Sequence, residues 1–75
     1  MNHAGIFRKR LFMMRGSKRW TQEDLAKKCG LHTTAIAQFE TGRRKPSFNN
    51  LIKISKGLNV SIDWLMGLNQ TETLE

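Results

Sequence analysis

The sequence predicts an all-α protein, five short helices packed around one core. Three observations lead there. β signals are nearly missing: there is no Tyr, Val and Ile are few, and no Asn-Gly or Asp-Gly hairpin turn occurs. Apolar residues recur at three- and four-residue spacing inside segments separated by Gly16, Gly30, Gly42 to Pro46, and Asn59 to Ser61. Residues that cap helices, Thr21, Ser47 and Ser61, stand where those segments begin.

The first helix, residues 4–16, sets Phe7, Leu11 and Met14 on one face, and Gly16 is placed to end it. Phe12 and Met13 fall off that face and are expected to be partly exposed. Thr21 opens the second helix, with Asp24 in the position of a capping-box acid. Its inner face is Leu25, Ala26 and Cys29, and Gly30 supplies a left-handed exit. A third helix runs from His32 or Thr33 to Thr41, with Ile36 and Phe39 inward, and stops at Gly42. After the basic loop Arg43-Arg44-Lys45-Pro46, Ser47 caps a fourth helix bearing Phe48, Leu51, Ile54 and Leu58 on its inner face. Ser61 caps a last short helix with Trp64 and Leu65. Residues 1–70 form one domain on this reading, and residues 71–75 a C-terminal tail.

Composition narrows the function. The chain has 75 residues, 39% of them hydrophobic and 25% charged, the balance of a small soluble domain. The longest apolar run, Leu11 to Met14, is far short of the roughly 20 residues of a membrane span, so no membrane is expected. No apolar leader precedes a cleavage site, and one cysteine cannot make an internal disulfide; both fit a reducing cytosol. Charge says more. Thirteen Lys+Arg against six Asp+Glu give +7. Residues 1–45 carry eleven bases and three acids, +8, while residues 46–75 carry two bases and three acids, −1. A one-sided positive field points to a polyanion, nucleic acid before an anionic membrane surface.

The informative stretch is Gln22 to Thr41. Ala26 lies four residues before Gly30 and Ile36 six after it. A small residue lets a second helix cross closely, the glycine accepts positive φ in the turn, and Ile36 with Phe39 locks the wide crossing angle of a helix-turn-helix. The opposite face of the third helix then shows Thr33, Thr34, Ala37, Gln38 and Thr41. It is short, polar and uncharged. Such a face can lie against base edges in a major groove while cations around it neutralise phosphates.

These residues resemble the Cro/CI-like, or XRE-type, phage-repressor family of helix-turn-helix DNA-binding domains. The resemblance rests on Trp20 to Ala26, Gly30-Leu31, Ile36 to Gly42, Arg43 to Ser47, the Leu51-Ile54-Leu58 spacing and Val60 to Leu65, and covers residues 7–68. It implies a compact five-helix lambda-repressor-like DNA-binding domain with the helix-turn-helix at its centre. It further implies a transcriptional regulator, most plausibly a repressor, that binds a near-palindromic double-stranded operator as a homodimer. Thr33, Thr34 and Gln38 match base-reading positions, with Ala37 and His32 beside them. Gln22 matches a residue that clamps a phosphate and braces the recognition helix, and Arg43, Arg44 and Lys45 match a backbone-contacting loop. Lys18 and Arg19 are further cations near the same surface. A Gln amide can bond adenine bidentately and a threonine methyl can meet thymine; the amides opening a helix at Gln22 suit a phosphate. Glu40, in the last turn of the third helix, opposes both helix dipole and phosphates. The resemblance gives it Arg15 as an ion-pair partner.

Two positions depart from the family pattern. His32 stands where Ser or Thr usually caps the third helix, so either His32 faces DNA or Thr33 becomes the cap and reads no base. Arg19 stands where a glycine commonly turns into the second helix, so Gly16 is expected to end the first helix a turn early.

Other chemistries find less support. Cys29 and His32 have a metal-compatible spacing, but structural zinc takes four ligands and His3 is the one further imidazole or thiol. No Ser-His-Asp set, paired carboxylates or glycine-rich phosphate loop suggests an enzyme. No cofactor, metal or small-molecule ligand is expected. Residues 6–19 could mimic a membrane-surface helix, yet the fold needs them for its core. A protein-binding module of the same fold, such as an antitoxin or partner adaptor, is the alternative function. Finally, Val60 to Leu68 carry more apolar bulk than one short helix buries. Trp64, Met66 and Leu68 are therefore expected at a dimer contact, weak in the absence of DNA, the alternative being that Trp64 plugs the bottom of the core.

Overall fold

The computed structural model describes residues 2–68 and contains five helices: α1 (His3–Ser17), α2 (Gln22–Cys29), α3 (Thr33–Thr41), α4 (Phe48–Leu58) and α5 (Ile62–Leu65). Local chemistry sets most of their ends. The Thr21 hydroxyl accepts from the Asp24 amide, and the Asp24 carboxylate accepts from the Thr21 amide, a closed capping box at the start of α2. The Thr21 amide, and after it the Thr21 side chain, hold the Asp24 carboxyl below its ordinary range. Ser47 and Asn50 form the same reciprocal pair at α4, and Ser61 caps α5 through the Trp64 amide. His32 is the N-cap of α3 but makes no side-chain capping bond. Thr33 is therefore the first helical residue and does not cap.

The end of α1 differs from the expectation. Gly16 stays helical and the helix runs on to Ser17; the turn falls at Arg19, which takes φ 58°. The Trp20 amide bonds the Arg15 carbonyl and the Arg19 amide bonds the Gly16 carbonyl, both in the pattern of a Schellman motif. Arg19 thus occupies the left-handed position that glycine usually fills.

Phe7, Leu11, Leu25, Ile36, Phe39, Ile54, Leu58 and Leu65 form the sealed centre of the molecule. Phe7 and Phe39 meet edge to face, ring centres 6.0 Å apart at 76°, tying α1 to α3. Ala26 is buried in α2, Gly30 turns at φ 68°, and the Leu31 amide returns to the Ala26 carbonyl at 2.9 Å. The helix-turn-helix is thereby closed by its own backbone. On the other side of α2, Gly57 of α4 sits so close to Cys29 that an added Cβ would lie 2.6 Å from Sγ.

Two apolar expectations fail. Phe48, assigned to the inner face of α4, is 85% exposed, because it is the first residue of the helix and no neighbour covers that turn. Trp64, assigned to a dimer contact, is buried at 6% exposure. Arg10 stacks on its ring with the guanidinium carbon 4.8 Å from the centroid and donates to its carbonyl at 2.5 Å. The apolar surplus at this end is Leu68, exposed, with Met66 and Ile62, both half-buried. The expected tail, residues 71–75, lies outside the described residues. Among the described residues no helix is long and apolar enough to cross a membrane.

Candidate nucleic-acid interface

With Ala35, Ile36 and Phe39 buried, α3 presents Thr33, Thr34 and Thr41 as exposed residues and Ala37 and Gln38 as half-buried ones. Thr34, Ala37, Gln38, Thr41 and Arg43 line a shallow hollow on this face. The Thr41 hydroxyl donates back to the Ala37 carbonyl at 3.0 Å, which occupies its proton. His32 is exposed at the start of the same helix.

Glu40 lies beneath that face. Arg15 Nε donates to its Oε2 at 2.7 Å and Nη2 to its Oε1 at 3.0 Å, a two-pronged pair. Gln22 Nε2 donates to Oε1 at 3.0 Å, and Arg15 Nη1 donates to the Trp20 carbonyl at 2.9 Å. The Glu40 side chain is only 5% exposed. Its hydrogen bond, and then its charge, raise the Arg15 guanidinium further above its ordinary pKa. One carboxylate therefore joins α1, the start of α2 and the end of α3. Gln22 braces α3 through its amide nitrogen, so of the side chain's polar atoms the carbonyl oxygen and the second amide proton remain for a ligand.

The expected cations flank this frame. Lys18, Arg19, Arg43, Arg44 and Lys45 are all exposed. Lys18 Nζ stands 5.2 Å from the Trp20 ring centre, and the Arg44 guanidinium 5.5 Å from that of Phe39. The amides of Arg43 and Arg44 both point back to the Gln38 carbonyl, at 2.9 and 3.3 Å. These bonds fix the basic loop to α3.

Arg8 belongs to the same region and escaped the sequence reading. Its Nε donates to the Glu40 carbonyl at 3.3 Å, at the carbonyl end of α3. The signal was present: Arg8 precedes Arg15 by seven residues, two turns of one helix face. Among the described residues no group of three His, Cys, Asp or Glu that could hold a metal ion occurs, Cys29 and His32 included. Burial instead pushes the Cys29 thiol up to about 11.

A glycine-turned helix pair with an uncharged polar helix outward and a braced carboxylate beneath it defines a helix-turn-helix protein. The chain belongs to the helix-turn-helix family HTH_3, which matches residues 11–65. It is 38% identical over 61 residues to the uncharacterized HTH-type transcriptional regulator YqaE of Bacillus subtilis (strain 168), covering 81% of this chain and 53% of YqaE. It is 43% identical over 56 residues to the control protein C.BamHI of Bacillus amyloliquefaciens, covering 73% of this chain and 69% of that one. Among solved structures, the P22 c2 repressor in complex with synthetic operator 9T superposes with a TM-score of 0.77 at 30% identity, over 84% of this chain and 96% of the repressor. The chain spans about half the length of YqaE.

Proposed function

We propose that the chain is a sequence-specific double-stranded DNA-binding transcriptional regulator, a repressor that binds a near-palindromic operator as a homodimer in the cytosol. The observation that carries this reading is α3: an uncharged polar face, flanked by cations and held from beneath by the Arg15–Glu40–Gln22 web. Base edges need donors and acceptors of fixed direction, which a braced helix supplies; phosphates need charge, which the flanks supply. The names of the relatives, a transcriptional regulator and an operator-bound repressor, support the same assignment. Two domains measuring 27 × 25 × 22 Å can stand side by side with their third helices one DNA turn, about 34 Å, apart. Leu68 and Met66, beside α5, are the apolar groups that would form a small isologous contact.

Selection of bound sequences from random duplex DNA, followed by two substitutions, tests this. Gln38→Ala should weaken the selected operator by about 1–3 kcal/mol and relax preference at one base pair per half-site. Arg43→Ala should weaken every duplex alike. If no duplex is enriched, or if both variants lose affinity without regard to sequence, the proposal is wrong.

A further inference from the structure

Between the first two turns of α1 and the loop after α3 runs a cleft lined by Asn2, Gly5, Arg8, Gly42, Arg44 and Lys45, among others. Three of those side chains are cations, and none of the lining residues is acidic. Among the described residues, Arg8, Arg44 and Lys45 form no ion pair with a carboxylate. The first turn of α1 carries no acid either.

Arg8 is held in place rather than waving in solvent. Its Nε donates to the Glu40 carbonyl, and its guanidinium packs against Gly42, where an added Cβ would meet Nη1 at 2.9 Å and Cζ at 3.2 Å. Gly42 is itself at φ 79°, a left-handed conformation that favours glycine and leaves room for the Arg8 guanidinium. With Nε used, the two terminal nitrogens of the guanidinium fork remain as donors, and a fork of that geometry matches the oxygens of a phosphate. Arg44 and Lys45 approach from the loop that the Gln38 carbonyl anchors to α3.

We propose that this cleft binds a backbone phosphodiester of DNA, with Arg8 as the fixed donor on the α1 side and Arg44 and Lys45 closing on the loop side. The inference rests on the DNA-binding reading and extends it to α1, which otherwise serves the core and the Glu40 pair. One phosphate would then be gripped by two elements that both bond the carbonyl end of α3. Its position sets the depth of the recognition helix in the groove.

The test compares the parent chain with Arg8→Gln on the selected operator and on an unrelated duplex, over a series of salt concentrations, with thermal melting to verify that the variant folds. Removal of a phosphate contact should weaken both duplexes by a similar factor, about fivefold or more. It should also make the plot of log K against log salt shallower by about 0.9 per subunit. Ethylation interference on the operator should lose one phosphate per half-site in the variant. A weaker complex with an unchanged salt slope would mean that Arg8 only props α3, and would overturn the proposal, as would unchanged affinity. If the parent itself bound no duplex, the DNA-binding reading would fail first, and that result is distinct. Should Arg8→Gln melt early, Lys45→Gln, on the other wall of the cleft, carries the same expectation: loss of that same phosphate and a shallower slope.

Discussion

Glu40 shows how one side chain can hold a surface in shape without adding much to stability. Removing a carboxylate and a guanidinium from water costs nearly what their attraction returns, but leaving one of them alone is expensive. Arg15→Ala strands Glu40 at 5% exposure with Gln22 as its remaining side-chain donor. Chemical denaturation should register a loss of about 3 kcal/mol, whereas the double variant Arg15→Met, Glu40→Leu should recover most of it. Equal losses in the single and double variants would show that the pair contributes through its own attraction. Arg19 is the opposite case, a residue that keeps a backbone strain. Its φ of 58° costs an L-residue about 1 kcal/mol relative to glycine. Arg19→Gly should therefore raise stability by about that amount while making DNA binding less salt-dependent, because a candidate phosphate contact is gone. A variant less stable than the parent would exclude strain at this turn.

Helix by helix, α2 and α4 meet closely where Cys29 lies against Gly57. The sign of its pH response follows from burial. The folded thiol ionises near 11 against an ordinary 9.0, so the neutral form is favoured in the fold. Its contribution is fully present below pH 9 and is lost as pH rises toward 11. Unfolding free energies measured across that window should fall more steeply for the parent than for Cys29→Ala, the difference being on the order of 2 kcal/mol. Parallel curves would remove the thiol from the account. The element scale is also where the sequence was most and least legible. Thr21 with Asp24, Ser47 and Ser61 marked the starts of α2, α4 and α5, because capping is local chemistry written in three or four consecutive residues. Gly16 and Phe48 misled because their fate is not local. Gly16 sits in the helix with nothing within 4 Å of an added Cβ, so helix continuation met no obstacle and the turn moved to Arg19. Phe48 has the right period for burial, yet periodicity names a face and cannot say whether a neighbour reaches the helix's first turn.

For the whole molecule, charge asymmetry is the property that residues and helices do not show separately. If about three cations per subunit engage phosphates, a dimer releases roughly six counterions and log K should fall with log salt at a slope near −5. A slope near zero would end the nucleic-acid reading. Arg8 was overlooked because its partner is a main-chain carbonyl 32 residues away, which its spacing from Arg15 places on the right face but does not identify. Trp64 was misplaced because Arg10, from the far end of the chain, both covers its ring and bonds its carbonyl. With Trp64 inside, Leu68→Glu, alone or with Met66→Glu, becomes the substitution for testing assembly. It should abolish cooperative operator binding and leave the melting temperature near the parent's, since Leu68 is 64% exposed. Undiminished cooperativity in footprinting would place the dimer contact elsewhere.

The buried thiol gives this chain a built-in clock. Cys29 is the single cysteine in the sequence and is 5% exposed, shut beneath Gly57. An alkylating reagent can reach it only in moments when α4 lifts away from α2, so its rate of labelling counts those openings. A ligand that binds only the closed form lengthens the interval between them by 1 + [L]/Kd. The alkylated fraction, followed over time by mass spectrometry, would then read how long each duplex keeps the domain shut.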